Sequence, residues 1–510
     1  LFLNVMMVIN GGCWPVDKVH GQPLCMEQYR WVFGTTRIPE PGCDRTVRND
    51  KASRHIVAMA RDQLYRIEVF RPDGSRYPVG DIEDQLRAAV HHAASLRAED
   101  LCPAVGVLTG GSRDMWAEAY AELTADPTNK AVLDLVKEAN FVVCLDDTIT
   151  LPADSIDIAQ LTTRHHATDP GHNRWFDKTV CLVIDRNGVA GVCGEHSPCE
   201  ALVPAIIYSR VMAEASLEKH AIRKGVLFAR SAESPRLAAN PQHLRFARTS
   251  PDIAHRIRAA ENEIAIIAAN STSVSYHHLT YGADWIKRVA KTSPDAFVQM
   301  ALQLAYRRLH RAIAPTYETA SSRRFLHGRT ETIRAATSEA AAFIEAMDDR
   351  RKSPDQKYQL LAAAYNRHAR ITRECSTGQG IDRHLLGLKI AYTRLAKDLA
   401  PEDRQVIEAF FSDPVFVESQ TWRLSTSNLT ICPHFIHTGF GAPVTERGYG
   451  INYILENNVL KFGIDSKTPE AGKGSNVYEF RKSLQKALDD MYLLCQEVNS
   501  THKHITKSHM

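Results

Sequence analysis

None of the chain's eleven cysteines forms a Cys-x-x-Cys pair. That argues against the common zinc frameworks, and nothing points to a secreted disulfide scaffold. A reducing compartment is the expectation. No run approaches the roughly 20 apolar residues that a spanning helix requires. The apolar opening, Leu1 to Asn10, is short and has no basic start, so it does not read as a signal peptide. Net charge is only +3, which gives no general attraction to nucleic acid or to a membrane. Internal repeats and low-complexity tracts are absent. So are nucleotide loops. Gly439-Phe440-Gly441 lacks the third glycine and the strand–helix setting of a dinucleotide loop, and Gly472-Lys473 lacks the upstream glycine of a phosphate loop. His91-His92 and His277-His278 have no Cys or carboxylate set at zinc spacing, so no metal is expected. The ending Lys507-Ser508-His509-Met510 is not the Ser-Lys-Leu peroxisomal type.

What is present is ordinary in composition and long enough, at 510 residues, for two or three domains with sizeable cores. His55 to Met59 and Leu64 to Phe70 read as strands around a turn. Ile82 to Glu99 has helical spacing, Val105 to Thr109 reads as a short buried strand, and Phe141 to Leu145 as another. Helices are expected at 115–123, 129–138 and 201–217. Alternation of this kind indicates an α/β layered structure. Residues 229 to 250 are Ser/Pro/Asn-rich and weakly patterned, which places a domain boundary near 250 and gives domains 1–250 and 251–510. Beyond it, Ser250-Pro251-Asp252 caps a helix to Ala268. Pro294 to Ile313 is amphipathic, with Phe297, Met300, Ala301, Leu304 and Ala305 near one face. Helices at 337–349 and 356–374 follow. Strands return at 422–426, 451–455 and 459–464, and a last helix spans 479–496.

One stretch concentrates the chemistry. Thr179 to Ile184 and Val189 to Cys193 flank Asp185-Arg186-Asn187-Gly188, and Asn-Gly between apolar runs is a strong hairpin signal. The second strand delivers Gly194-Glu195-His196. An imidazole there can take and return a proton near neutral pH. Glu200, four residues on, suits a helical turn starting at Ser197-Pro198. A lone histidine after a strand is more often structural than catalytic. His165-x-x-x-Asp169 is a rival, but it lies beside a Pro/Gly loop with no strand to fix it.

Asn173-Arg174-Trp175-Phe176-Asp177-Lys178, the hairpin and Glu195-His196-Ser197-Pro198-Cys199-Glu200-Ala201 together resemble the catalytic segment of the choline/carnitine O-acyltransferases. Further segments resemble the same family in the same order. They are Gly21 to Tyr29 with Arg37-Ile38-Pro39, Ser293 to Phe297, Pro315 to Ala320 and Gly328 to Arg334. Asp382 to Leu388, Leu424 to Ser427, Gly439 to Val444 and Gly448-Tyr449-Gly450 complete the set. The resemblance covers essentially the whole chain and is closer to fungal carnitine acetyltransferases.

The resemblance implies two chloramphenicol-acetyltransferase-like domains, each a mixed sheet flanked by helices, with an active-site tunnel at their interface. It implies acyl transfer between coenzyme A and an alcohol. His196 would be the general base, Ser427 the oxyanion donor, and Glu200 would orient or polarise the site. Tyr317, Thr330 and Ser425 would contact the carboxylate of carnitine, Arg383 would supply charge, and Phe440 would meet the trimethylammonium group. Choline enzymes of the family look different at Thr330–Thr332 and Arg383, so carnitine is the preferred acceptor. Taken alone, Arg383 between an Asp and a His reads as a salt bridge.

Coenzyme A contacts would come from Lys287, Arg288, Lys291, Asp295, Thr319 and Asn428. Here the chain departs from the family. Ala283 stands where a lysine is usual, the segment is one residue longer, and Asn428 replaces a glutamine. Coenzyme A is expected as a co-substrate, with no permanently bound cofactor. Thr438 leaves room in the acyl pocket for longer acyl groups, but the likeness to fungal carnitine acetyltransferases, which includes Ser197-Pro198-Cys199, ranks acetyl first and medium-chain acyl groups second. Choline acyltransfer and a non-catalytic coenzyme A or carnitine binder are the alternatives. A monomer in the cytoplasm, mitochondrion or peroxisome is expected, with a family N-terminal piece missing before Leu1.

Overall fold

The computed structural model describes residues 2–49, 53–147, 171–223, 241–247, 249–430, 435, 437–439, 441, 443–467 and 475–508. The chain divides into two compact units. The first comprises Leu1–Val16, Met26–Ser155 and Leu161–Ala269, and the second Asp17–Cys25, Ile156–Gln160 and Asn270–Met510. The helix that starts beside the expected boundary at 250 groups with the first unit.

The first unit holds strands β1 (His55–Ala60) and β2 (Gln63–Glu68), helix α1 (Pro127–Glu138), strands β3 (Val142–Leu145), β4 (Cys181–Ile184), β5 (Ala190–Cys193) and β6 (Gln242–Leu244), and helix α2 (Pro251–Ala269). Its six-stranded sheet has the order β6-β2-β1-β3-β4-β5. β3 pairs parallel with β1 and with β4, and the other pairs are antiparallel. Every residue of β1 is buried, as a central strand covered on both faces requires. α2 is capped as expected, the Ile253 N–H donating to Ser250 Oγ at 3.2 Å.

The second unit holds β7 (Ser271–His278), α3 (Pro294–His310), β8 (Thr316–Ser321), β9 (Thr330–Arg334), α4 (Pro354–Ser376), α5 (Asp382–Leu395), β10 (Leu424–Asn428), β11 (Tyr449–Leu455), β12 (Leu460–Lys467) and α6 (Val477–Ser508). Its sheet runs β7-β12-β11-β10-β8-β9. The parallel pairs are β11–β10 and β10–β8, and the rest are antiparallel. Across each sheet the pairings therefore follow one sequence: antiparallel, antiparallel, parallel, parallel, antiparallel. Two mixed sheets flanked by helices make this an α/β protein. Among the described residues, no helix is long and apolar enough to cross a membrane.

Three readings of the sequence change. Val105–Gly110 is a 3-10 helix, not a strand. A short apolar run buries equally well either way. Here Gly106 lies so close to Arg174 that a Cβ would stand 2.4 Å from the Arg174 carbonyl oxygen. α3 is not amphipathic: Ala296 through Tyr306 are all buried. Two glutamines pass as core residues because their amides are bonded, Gln299 Nε2 to Thr426 Oγ1 and Tyr453 Oη, and Gln303 Nε2 to Thr316 Oγ1. Ser197 to Glu200 form no helical turn, since the helix begins only at Leu202. β7, α5 and the helices Pro401–Ser412 and Pro414–Ser419 were not foreseen.

Candidate active site

In the first unit, the segment before the hairpin is a frame of buried charges. Asn173 adopts a left-handed φ of 55° and donates to the Leu145 carbonyl and to Asp146. Arg174 grips Asp146 with two bonds of 2.8 Å, both side chains being nearly inaccessible. Asp177 accepts from Trp116 Nε1 at 2.8 Å and pairs with Arg113 at 2.8 Å. Burial pushes its carboxyl up to about 6, against the pull of Arg113. Lys178 is buried and donates to the carbonyls of Lys137 and Ala139 at the C-terminal end of α1. Those carbonyls have no partner within the helix, and a cation suits that end of its dipole.

Lys178 supplies a pH signature. Burial lowers its ammonium from 10.5 to about 7. Between these values the unfolded chain holds a proton that the folded chain lacks. By linkage this group makes stability climb as pH rises from about 7 to about 10. Lys178→Met should remove that climb. Thermal unfolding of both proteins across this window should show a gap that changes with pH, and a constant gap would refute the desolvated ammonium.

The hairpin forms as expected. β4 and β5 pair with Ile184 opposite Ala190, Gly188 takes φ +78°, and Asp185 Oδ1 accepts the N–H groups of Asn187 and Val189. The loop that follows is fixed from both sides by earlier chain. Arg37 Nη1 pairs with Glu195 at 3.1 Å, and Glu195 Oε1 accepts the Ser197 N–H at 2.8 Å. Gln28, itself buried, accepts the Glu200 N–H at 2.8 Å. His196 sits between these two anchors with its side chain 60% exposed. Its Nε2 lies 3.8 Å from Glu200 Oε2. That separation allows an electrostatic pairing and is too long for a direct hydrogen bond. The anchors were missed in the sequence. Gln28 and Arg37 fall in segments legible only as family resemblance, and their anchoring role exists only through a partner more than 150 residues away.

In the second unit, the strands bring together residues that the sequence scatters. Arg383 Nη2 donates to Thr330 Oγ1 at 3.1 Å and to Tyr317 Oη at 3.4 Å, and its Nε donates to the Thr330 carbonyl at 3.1 Å. Its guanidinium carbon is 6.0 Å from the centre of the Tyr317 ring. The neighbouring carboxylate is engaged elsewhere: Asp382 takes two bonds from Arg334, at 2.6 and 2.8 Å. Arg383 is therefore not the salt bridge that its neighbours suggest. Glu331 sets the base of α5, accepting the backbone N–H of Arg383 and that of Thr332. Gly380 makes this approach possible, since a Cβ there would fall 2.3 Å from Glu331 Cγ.

Tyr317 is in register with Ser425 on β10, so both side chains share one face of the sheet. Ser427 and Thr319 lie two residues further along their strands on that face. Thr426 points the other way, its hydroxyl donating to the Tyr317 carbonyl at 2.9 Å and accepting from Gln299. The Ser425 and Ser427 hydroxyls take part in neither bond. Phe440 lies outside the described residues, as does His165.

Asp295 and Asn428 are brought together, Asn428 Nδ2 donating to Asp295 Oδ1 at 2.8 Å. Tyr453 Oη donates to the same oxygen at 2.7 Å. Beneath the sheet, Glu318 and His368 make a fully buried pair, Nε2 to Oε2, at 2.7 Å. Burial, with Asp295 beside it, pushes the Glu318 carboxyl up. The bond to Glu318 pushes His368 up as well, although its own burial opposes this. Asp295, Glu318 and His368 offer ligand atoms within 4.8 Å of one another, and among the described residues they are the set that could hold a metal ion. The imidazole–carboxylate bond already accounts for that grouping.

The basic run takes an unexpected form. A three-residue helix, Ala283–Trp285, widens into one π-helical turn, Ile286–Ala290. A π turn absorbs one residue more than an α turn, which suits a segment one residue longer than usual. Ala283 is buried, Lys287 and Arg288 are exposed, and Lys291 closes the turn with φ 53°.

The first unit thus carries a histidine on an anchored loop, and the second a hydroxyl-lined sheet face with an arginine. The family model for choline/carnitine O-acyltransferases matches residues 2–486. Choline O-acetyltransferase of Gallus gallus is 34% identical over 501 residues, 96% of this chain and 74% of that one. Carnitine O-acetyltransferase of Columba livia is 32% identical over 504 residues, 97% of this chain and 75% of that one. Among solved structures, a chloramphenicol acetyltransferase overlaps 43% of this chain and 88% of its own, at 13% identity and a TM-score of 0.23. That score is too low to carry an argument. The chain belongs to the choline/carnitine O-acyltransferase family, and acyl transfer is its chemistry.

Proposed function

We propose that the protein transfers an acyl group, acetyl first, between coenzyme A and the hydroxyl of carnitine. The observation that carries the choice of acceptor is Arg383. Its guanidinium is held by the Tyr317 and Thr330 oxygens while the adjacent Asp382 is bound to Arg334. An arginine fixed by neutral acceptors, with further hydroxyls on the same sheet face, suits a carboxylate ligand. Choline has no carboxylate to place there. The choline O-acetyltransferases among the relatives support choline as the second reading.

In the proposed reaction, His196 removes the carnitine hydroxyl proton as the oxygen attacks the thioester carbonyl. Glu200 steadies the imidazolium that forms. The Ser427 hydroxyl donates to the tetrahedral oxyanion. The carbon–sulfur bond then breaks, and His196 returns the proton to the leaving thiolate. Lys287, Arg288 and Lys291 are assigned to the phosphates of coenzyme A, and Asp295, Thr319 and Asn428 to the rest of its chain. Thr438 is small and buried, and acyl length follows from the space beside it.

The direct test is thiol release from acyl-coenzyme A of increasing length, with carnitine and with choline as acceptors. Faster turnover with carnitine, greatest for acetyl, is the expected result. Faster turnover with choline would establish the second reading instead.

A further inference from the structure

The sheet of the second unit buries one face against α3 and α6. Leu424, Ile451, Tyr453, Phe462 and Ile464 belong to that core. The opposite face carries polar side chains, and its register is informative. Tyr317 pairs with Ser425, Ser425 with Gly450, Gly450 with Asp465, and Asp465 with Ser273. Residues opposite one another in paired strands point to the same side. Asp465 therefore lies in one row with Tyr317 and Ser425. It stands two strands from Ser425, about 10 Å at the usual strand spacing, with only a glycine between.

Asp465 is 7% exposed. Its Oδ1 accepts the Ser273 hydroxyl. Its Oδ2 is buried and makes no hydrogen bond of ordinary geometry among the described residues, although the Gly441 backbone lies close enough to the carboxyl to act on it. Burial raises the carboxyl to about 7, against the pull of the Ser273 hydroxyl and the Gly441 backbone. A buried carboxylate oxygen left unpaired is destabilising, and the chain supplies no cation to it among the described residues. A quaternary ammonium fits such an oxygen well. It carries full charge, has no N–H to bond, and is less strongly hydrated than a primary ammonium.

We propose that Asp465 is the counter-charge for the quaternary ammonium of the acceptor alcohol, placed along one row of the sheet from the arginine cradle that takes its carboxylate. The proposal rests on the carnitine reading and deepens it. One sheet face then recognises both charges of a zwitterion, with Ser425 and Gly450 on the floor between them.

The test is steady-state kinetics of Asp465→Asn, which keeps the shape and removes the charge, with carnitine, with choline, and with the carnitine isostere whose trimethylammonium is replaced by tert-butyl, an anion that keeps the carboxylate and lacks the cation. The KM for carnitine and for choline should rise about 30-fold or more. The KM for the isostere and for acetyl-coenzyme A should stay within about twofold, as expected for groups that do not meet the charge. An equal loss on carnitine and isostere would mean a structural role and overturn the proposal, as would no change on any acceptor. Turnover by the wild type with neither carnitine nor choline would overturn the acceptor reading and this proposal together. Asp465→Ser provides the same comparison should the Asn variant fold poorly.

Discussion

His196→Ala is expected to lower acyl transfer by about 10³-fold or more, within the range for loss of a positioned general base, while the protein stays folded. The two halves of this prediction have separate physical grounds. The imidazole is largely exposed, and the loop is held by Arg37 on Glu195 and by Gln28 on the Glu200 backbone, none of which is the imidazole itself. Truncating an exposed side chain of this kind typically changes stability by no more than about 0.5 kcal/mol. The chemical half follows from the proton. A secondary hydroxyl does not attack a thioester at neutral pH unless a base takes its proton, and the loop presents that base with a carboxylate 3.8 Å behind it. Thiol-release kinetics with thermal unfolding of the same sample checks both halves. Undiminished turnover would remove His196 from the base role, and a lost fold would move it to the structure. Glu200→Gln should give a smaller loss, since it weakens the imidazolium without removing the base.

Arg383→Asn is expected to raise the KM for carnitine about 10- to 100-fold, the range for loss of a charged hydrogen bond. The KM for acetyl-coenzyme A should move by less than about twofold, since interactions lost from one substrate are seen in that substrate's KM. Among the described residues the guanidinium's three bonds all go to Tyr317 and Thr330, which leaves its ion-pair capacity for a ligand. Asparagine reaches neither the ligand nor these oxygens, yet the backbone bond to Glu331 remains, so α5 keeps its start. The change should also shift the balance of acceptors. Choline, having no carboxylate, loses nothing when the arginine goes. Equal rises in both KM values would exclude a carboxylate role for Arg383.

The parts of this architecture that were legible in the sequence are those fixed locally. The Asn187-Gly188 turn needed only a glycine free to take positive φ and an aspartate to gather two N–H groups. Strands β1 and β2 declared themselves by composition around a turn. Gathering Tyr317, Thr330 and Arg383 was legible only as a family resemblance, because more than 60 residues of chain separate the first from the last. Val105–Gly110 was misread because its backbone answers to Arg174, not to its own apolar pattern. Gln299 and Gln303 hid the true burial of α3: a buried amide looks like a solvent face until its partners on the sheet are known. The anchoring of His196 by Gln28 and Arg37, and the release of Arg383 from Asp382 by Arg334, depend wholly on tertiary pairing.

The Glu318–His368 pair has one more consequence for the sheet above it. Glu318 sits between Tyr317 and Thr319, facing the core while they face outward. Sliding β8 by a single residue would exchange the two faces. It would send the carboxylate to the open side, deprive the buried His368 imidazole of its hydrogen-bonded partner, and drive a tyrosine ring into a packed interior. Each of these outcomes is severe, so the wrong alignment is excluded by energy rather than by geometry alone. The buried pair thus acts as a detent: it stops the strand at the one setting in which Tyr317 meets Ser425.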